Sequence, residues 1–136
     1  MKKILSHLIT ASLLLALLVM PIHANNPNAR WTNTSDFVIV HDYVDGSASC
    51  SVSISGYSNT IVTNVDISFD LVTGDGLVNL STWNDLSGGQ YFVFTDTVPN
   101  VELDCIYRLT FTADVVKNGV VETISDYLER FYTEAE

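Results

Sequence analysis

A strict alternation of apolar and polar residues, most regular in "SASCSVSISG" (residues 47–56), constrains this chain more than any other feature. Cys50, Val52 and Ile54 fall on one parity and Ser49, Ser51, Ser53 and Ser55 on the other. A two-residue period sends alternate side chains to opposite faces of a β-strand, so this stretch buries one face and wets the other. The pattern recurs in "TNVDISFDLV", where Val65, Ile67, Phe69 and Leu71 oppose Asn64, Asp66, Ser68 and Asp70. It recurs again in "CIYRLTFTADVV", with Cys105, Tyr107, Leu109, Phe111, Ala113 and Val115 on one face.

Shorter β-branched runs complete the set: "DFVIVH" from Asp36, "LVNLSTW", whose inward parity is open, "QYFVFTDTV" and "VVETISDY". Asp45-Gly46 and "KNG" (117–119) mark turns. At the second turn, a three-residue loop would set Val115 opposite Val121, whereas a two-residue loop would set it opposite Glu122. An apolar partner for Val115 favours the three-residue loop. No sustained helical period appears, apart from a possible C-terminal turn in "DYLERFYTEAE". The expected fold is all-β: a single antiparallel sandwich of seven or eight strands, since each one-faced sheet needs a second to cover it. A closed barrel is the alternative.

The N-terminus sets the compartment. Lys2 and Lys3 precede an apolar run densest at Leu13–Met20, Pro21 breaks it, and Ala24 offers a small residue for cleavage. That is the order of a secretory signal peptide. The run is interrupted by Ser6, His7, Thr10 and Ser12 and is followed by no basic cluster, so a membrane anchor fits less well. The expected organisation is a signal peptide at 1–24, a loose arm at 25–35 and the sandwich at 36–136, exported and without membrane insertion. All 16 Asp and Glu follow the leader while two of the six Lys and Arg lie within it, so the exported part is more acidic than the net −10 of the chain. That surface disfavours nucleic acid and anionic membranes, and its simplest role is solubility.

Cys50 and Cys105, both on inward parities, form an even count in an exported chain. One pairing exists, and a Cys50–Cys105 disulfide is expected to stabilise the fold by ~4 kcal/mol. Two independent buried thiols are the alternative. An unstrained bridge needs Cα atoms about 4.4–6.8 Å apart. An immunoglobulin domain also pairs cysteines on its second and sixth strands, with a tryptophan after the first and a tyrosine two residues before the second. Here Trp83 stands far from Cys50, Leu103 occupies the tyrosine's place and Tyr107 follows Cys105 by two. Through "ARWTNT", "SCSVSISGYSNT", the Trp83 segment and "YRLTFTADVVKNGVVETIS", the chain resembles a group of short exported proteins of Gram-positive bacteria with an immunoglobulin-like sandwich. The resemblance implies a fold and a compartment, and no activity.

Motifs for chemistry are sparse. His41 is the one imidazole beyond the leader, expected at the surface or an edge, and nothing near it builds a triad. No Gly-x-Ser-x-Gly elbow occurs. Asp66 and Asp70 share a strand face, but their polar neighbours read as a solvated outer face rather than a hydrolytic pair. Asp42, Asp45 and Asp75 lack calcium-loop spacing, and two thiols with one histidine make a poor metal site, so neither a metal nor a cofactor is expected. Asn33 and Asn79 each begin an Asn-x-Ser sequon. Trp31, Tyr43, Tyr57, Trp83, Tyr91, Tyr127 and Tyr132 cannot all be core, and an exposed cluster among them would suit contact with an extracellular protein or glycan. The expected function is therefore that of a secreted, non-catalytic binding module. A small carboxylate-dependent hydrolase and a secreted inhibitor are the alternatives.

Overall fold

A computed structural model of the chain describes residues 31–134. The expected leader (1–24) and most of the arm lie outside the described residues. Seven strands follow in order: β1 (Thr34–Val44), β2 (Ser47–Gly56), β3 (Thr60–Thr73), β4 (Gly76–Leu86), β5 (Tyr91–Pro99), β6 (Cys105–Lys117) and β7 (Val120–Tyr132). They form two antiparallel sheets, β1-β2-β5 and β4-β3-β6-β7. The fold is an all-β sandwich, and the C-terminal stretch that allowed a helical turn is the strand β7. In an immunoglobulin constant-type domain the fourth strand joins the sheet of the first, second and fifth. Here β4 pairs with β3 instead.

The alternation does what the sequence requires of it. Cys50, Val52 and Ile54 of β2 and Leu109, Phe111, Ala113 and Val115 of β6 are fully buried. They meet Val65, Ile67 and Phe69 of β3 in one apolar core. β3 holds the phase on both sides of a bulge. Asn64 adopts φ 49°, the register against β6 slips between Thr63 and Asp66, and Val62 and Val65 therefore both face inward although three residues apart. Tyr107 locks the β5–β6 corner. Its hydroxyl accepts from the Glu102 N–H (2.7 Å) and donates to the Glu102 carbonyl (3.2 Å). An immunoglobulin corner tyrosine makes this kind of bond, there two residues before the second cysteine. By that analogy the second cysteine's place falls to Leu109, not Cys105.

The structure corrects two expectations. First, Lys117 pairs with Val120 across a two-residue turn, with Asn118 at φ 51° and Gly119 at φ 77°. Positive φ at both positions gives the turn whose twist matches that of the strands, and Asn-Gly supplies it at little steric cost. Val115 therefore faces Glu122 and not Val121. An apolar residue on one strand does not require an apolar partner where a third segment, here residues 32–34, brings polar groups to the same place.

Second, Cys50 and Cys105 are free and form no disulfide. Both point inward, but parity specifies a face and not a row. Cys50 lies opposite His41 and Asp96, whereas Cys105 opens β6 opposite Tyr132. Burial, and then the Asp96 carboxylate, push the Cys50 thiol up to about 12. Alkylation without reductant should therefore label both cysteines in denaturant but only the half-buried Cys105 in the native state. Absence of labelling in denaturant would restore the disulfide.

Candidate functional site

The edges β1 and β7, one from each sheet, run side by side, and side chains rather than a backbone ladder join them. At one end Glu122 of β7 receives the backbone N–H groups of Thr32, Asn33 (3.0 Å) and Thr34 (2.8 Å), and also the Thr34 hydroxyl (2.8 Å). Asn33 returns the contact, its Nδ2 donating to the carbonyls of Val115 (2.9 Å) and Val120 (3.0 Å). Asn33 and Thr34 are consequently buried and β1 begins at Thr34, so the last residues of the expected arm belong to the sandwich. The Asn33 amide is committed to backbone carbonyls, which leaves no room for a glycan in the folded protein.

Midway along the seam stands His41. It is on an edge strand, as expected, but fully buried rather than at the surface, because β7 closes over it. Its Nε2–H donates to the Leu128 carbonyl (3.0 Å), its ring packs edge-on against Tyr43 and Phe69, and Nδ1 is buried without a partner. Burial, opposed by the Leu128 bond, lowers its pKa from 6.5 to about 4, so the ring is neutral at pH 7. Beyond it Arg130 of β7 donates from Nη1 to the His41 carbonyl (2.7 Å) and reaches Asp42 Oδ1 at 3.4 Å, while the Tyr43 hydroxyl donates to the Arg130 carbonyl (3.1 Å).

The seam ends in an open groove of about 630 Å³ where β1 and β7 run out. Tyr43 and Tyr132 form its floor, stacked at 4.5 Å and 17°, and the Tyr132 hydroxyl accepts from the Gly46 N–H (3.1 Å). Phe131 and Leu103 flank them, 53% and 40% exposed, with Asp42, Asp45, Arg130 and Glu134 around the rim. Of the aromatics singled out in the sequence, only Tyr43 and Tyr132 meet here. Trp31 packs on Phe37, Tyr127 lies under the Arg108 guanidinium, and Trp83 closes the opposite edge by donating from Nε1 to Asp96 (2.8 Å). Glu122 and Arg130 escaped the sequence reading. Their signal was present in β7, whose inward parity alternates charges (Glu122, Asp126, Arg130) with Ile124 and Leu128, a pattern suited to a sheet edge.

The remaining carboxylates act within the fold. Asp66 is exposed, as expected, and accepts the Asp85 N–H (3.0 Å), but Asp70, expected on the same solvated face, is buried and accepts from Ser68 (2.8 Å) and Asn79 (2.8 Å), while hydrogen bonds from Thr123 and then Asn64 hold Asp114 below its usual pKa. Among the described residues no group of three or more His, Cys, Asp or Glu is placed to hold a metal ion, and no helix is long and apolar enough to cross a membrane.

Together these features define, among the described residues, a seven-stranded antiparallel β-sandwich with side-chain-stitched edges and an open terminal groove. No family model matches the chain, and no curated protein matches it. Among solved structures, the sporulation control protein Spo0M of Bacillus subtilis aligns at 15% identity and a TM-score of 0.43, over 78% of this chain and 51% of that one. The chain thus spans about half the length of that protein.

Proposed function

We propose that the protein is exported, loses residues 1–24, and acts as a non-catalytic binding module that meets an extracellular protein or glycan at the terminal groove. The observation that carries this reading is the groove itself, a preformed concavity with a stacked-tyrosine floor and two exposed apolar flanks. Its volume of about 630 Å³ falls in the range of small-molecule sites. Support also comes from the placement of the reactive groups. The His41 imidazole is buried and neutral, and Asp66, Asp70, Asp114 and Glu122 all accept hydrogen bonds within the sandwich.

The test uses purified residues 25–136 and the envelope fraction and secreted proteins of the source cells. Co-sedimentation or capture by the wild-type protein should fall at least about tenfold in the double variant Leu103→Ser/Phe131→Ser, the size of effect expected when exposed apolar anchors are removed. Because both side chains are already exposed, the melting temperature should change little. Equal binding by the double variant, or turnover of envelope glycan by the wild-type protein, overturns the reading.

A further inference from the structure

We propose that the occupant of the groove is a basic, partly apolar peptide segment of a partner protein, with a lysine or arginine side chain seated against the tyrosine floor. This inference rests on the binding-module reading and narrows it to one class of partner.

The charges at the rim point to a cation. Asp42, Asp45 and Glu134 surround the groove, and neither the Asp45 nor the Glu134 side chain has a hydrogen-bond partner among the described residues. Among the described residues the one cation at the rim, Arg130, is tied by Nη1 to the His41 carbonyl and to Asp42. The rim therefore carries uncompensated negative charge. The surroundings reinforce it, since the whole chain is at −10 and residues 31–134 hold only Arg108, Lys117 and Arg130 as basic residues. Arg108 is paired with Glu129. Such a field raises the encounter rate of a positively charged partner and repels an anionic one.

The apolar surface points to a peptide. Phe131, which lines the groove, also begins a row on the outer face of the larger sheet, where Phe131, Ile106, Val72 and Leu77 lie side by side across β7, β6, β3 and β4. Phe131, Ile106 and Leu77 are 53%, 41% and 47% exposed. At a strand spacing of about 4.8 Å this row is roughly 14 Å long. It begins beside the acidic rim, so apolar anchors and carboxylates are presented together, matching the aliphatic stem and charged head of lysine or arginine.

The test is binding of a fluorescent peptide of alternating lysine and leucine to purified residues 25–136. A glutamate-leucine peptide and a soluble, uncharged oligomer of N-acetylated glucosamine serve as competitor arms. The lysine peptide should bind and weaken steeply with added salt. Its affinity should drop about tenfold in Asp45→Asn/Glu134→Gln and in Phe131→Ser, and stay unchanged in Asp75→Asn/Asp126→Asn, which removes equal charge away from the groove. Equal weakening by both double variants would mean non-specific attraction to an acidic surface and would overturn the proposal. Preference for the glucosamine oligomer or for the glutamate peptide would overturn it as well. Failure of the lysine peptide while groove-dependent envelope binding persists rejects this occupant but leaves the binding-module reading intact. Failure of both rejects both.

Discussion

Replacing Glu122 by alanine should destabilise the sandwich by about 3–4 kcal/mol, the largest effect expected of any polar substitution in the molecule. One carboxylate receives three backbone N–H groups and a hydroxyl from Thr32, Asn33 and Thr34, of which Asn33 and Thr34 are almost wholly buried. Hydrogen bonds to a charged acceptor are worth about 1.5–3 kcal/mol each, and a buried donor left unsatisfied costs about 1–3 kcal/mol. The changes are coupled, so their sum is an upper bound. For a domain of this size the melting temperature should fall by on the order of 15 °C. Glu122→Gln should lie between, since the amide keeps one acceptor oxygen but turns an NH₂ toward donors. Urea denaturation at pH 7 measures both, and a loss below about 1 kcal/mol for the alanine variant would show that the 32–34 strap contributes little. The carboxylate also carries a pH signature. Burial would raise its pKa, but the bonds from Thr32, Thr34 and Asn33 outweigh burial and hold it below the ordinary glutamate value. Its contribution is therefore complete above the unfolded-state pKa near 4.5 and is lost as the pH falls further.

His41 governs a separate and higher window. Its pKa is lowered from 6.5 to about 4 in the fold, so the unfolded chain takes up a proton that the native seam refuses. Stability should be flat above about pH 7, fall between pH 6.5 and 4 at up to about 1.4 kcal/mol per pH unit, and level off below. From pH 7 to pH 5 the loss is about 2 kcal/mol. No carboxylate with a lowered pKa contributes in that interval, because Glu122 and Asp114 respond only below their ordinary values. In His41→Gln, which keeps a donor toward the Leu128 carbonyl, the slope between pH 7 and 5 should vanish whatever the absolute stability. In the wild-type protein the His41 imidazole resonances should not titrate above pH 5. An NMR midpoint near 6.5 would show that the ring is solvated and the seam open.

Residues on one strand were legible in the sequence, and relations between distant strands were not. The alternation of Val52 with Ser53, of Phe69 with Asp70 and of Leu109 with Thr110 is a local property of an extended backbone. It announced the strands, their inward faces and the all-β class before any contact was known. The Asp45-Gly46 turn was equally local, with Asp45 at φ 48° and Gly46 at φ 73°. The two-residue turn at Asn118-Gly119 was local as well, since Asn-Gly favours it; the three-residue reading came from seeking an apolar partner for Val115, which instead faces Glu122, itself bonded to residues 32–34 far away in sequence.

The rows of the sandwich, the closure of its edges and the groove were decided by tertiary structure alone. A period of two states which face a side chain takes but not its height along the partner strand. That height is set by turn lengths, by the bulge at Asn64 and by the way two twisted sheets stack. Cys50 and Cys105 therefore share a face yet lie in different rows, one opposite His41 and Asp96 and the other opposite Tyr132, and both are free. His41 was predictable as an edge residue, but its burial required β7 to close over β1, a packing of one sheet's edge on the other's that no local pattern encodes. The groove arises where those two edges end together, with Tyr43 on Tyr132 and Asp42 beside Arg130, pairs 89 and 88 positions apart in the chain. Sequence alone determined an acidic, one-faced set of strands. The meeting of β1 and β7 decided where that chain presents a concave, charged surface, because only the closed fold brings the ends of its first and last strands together.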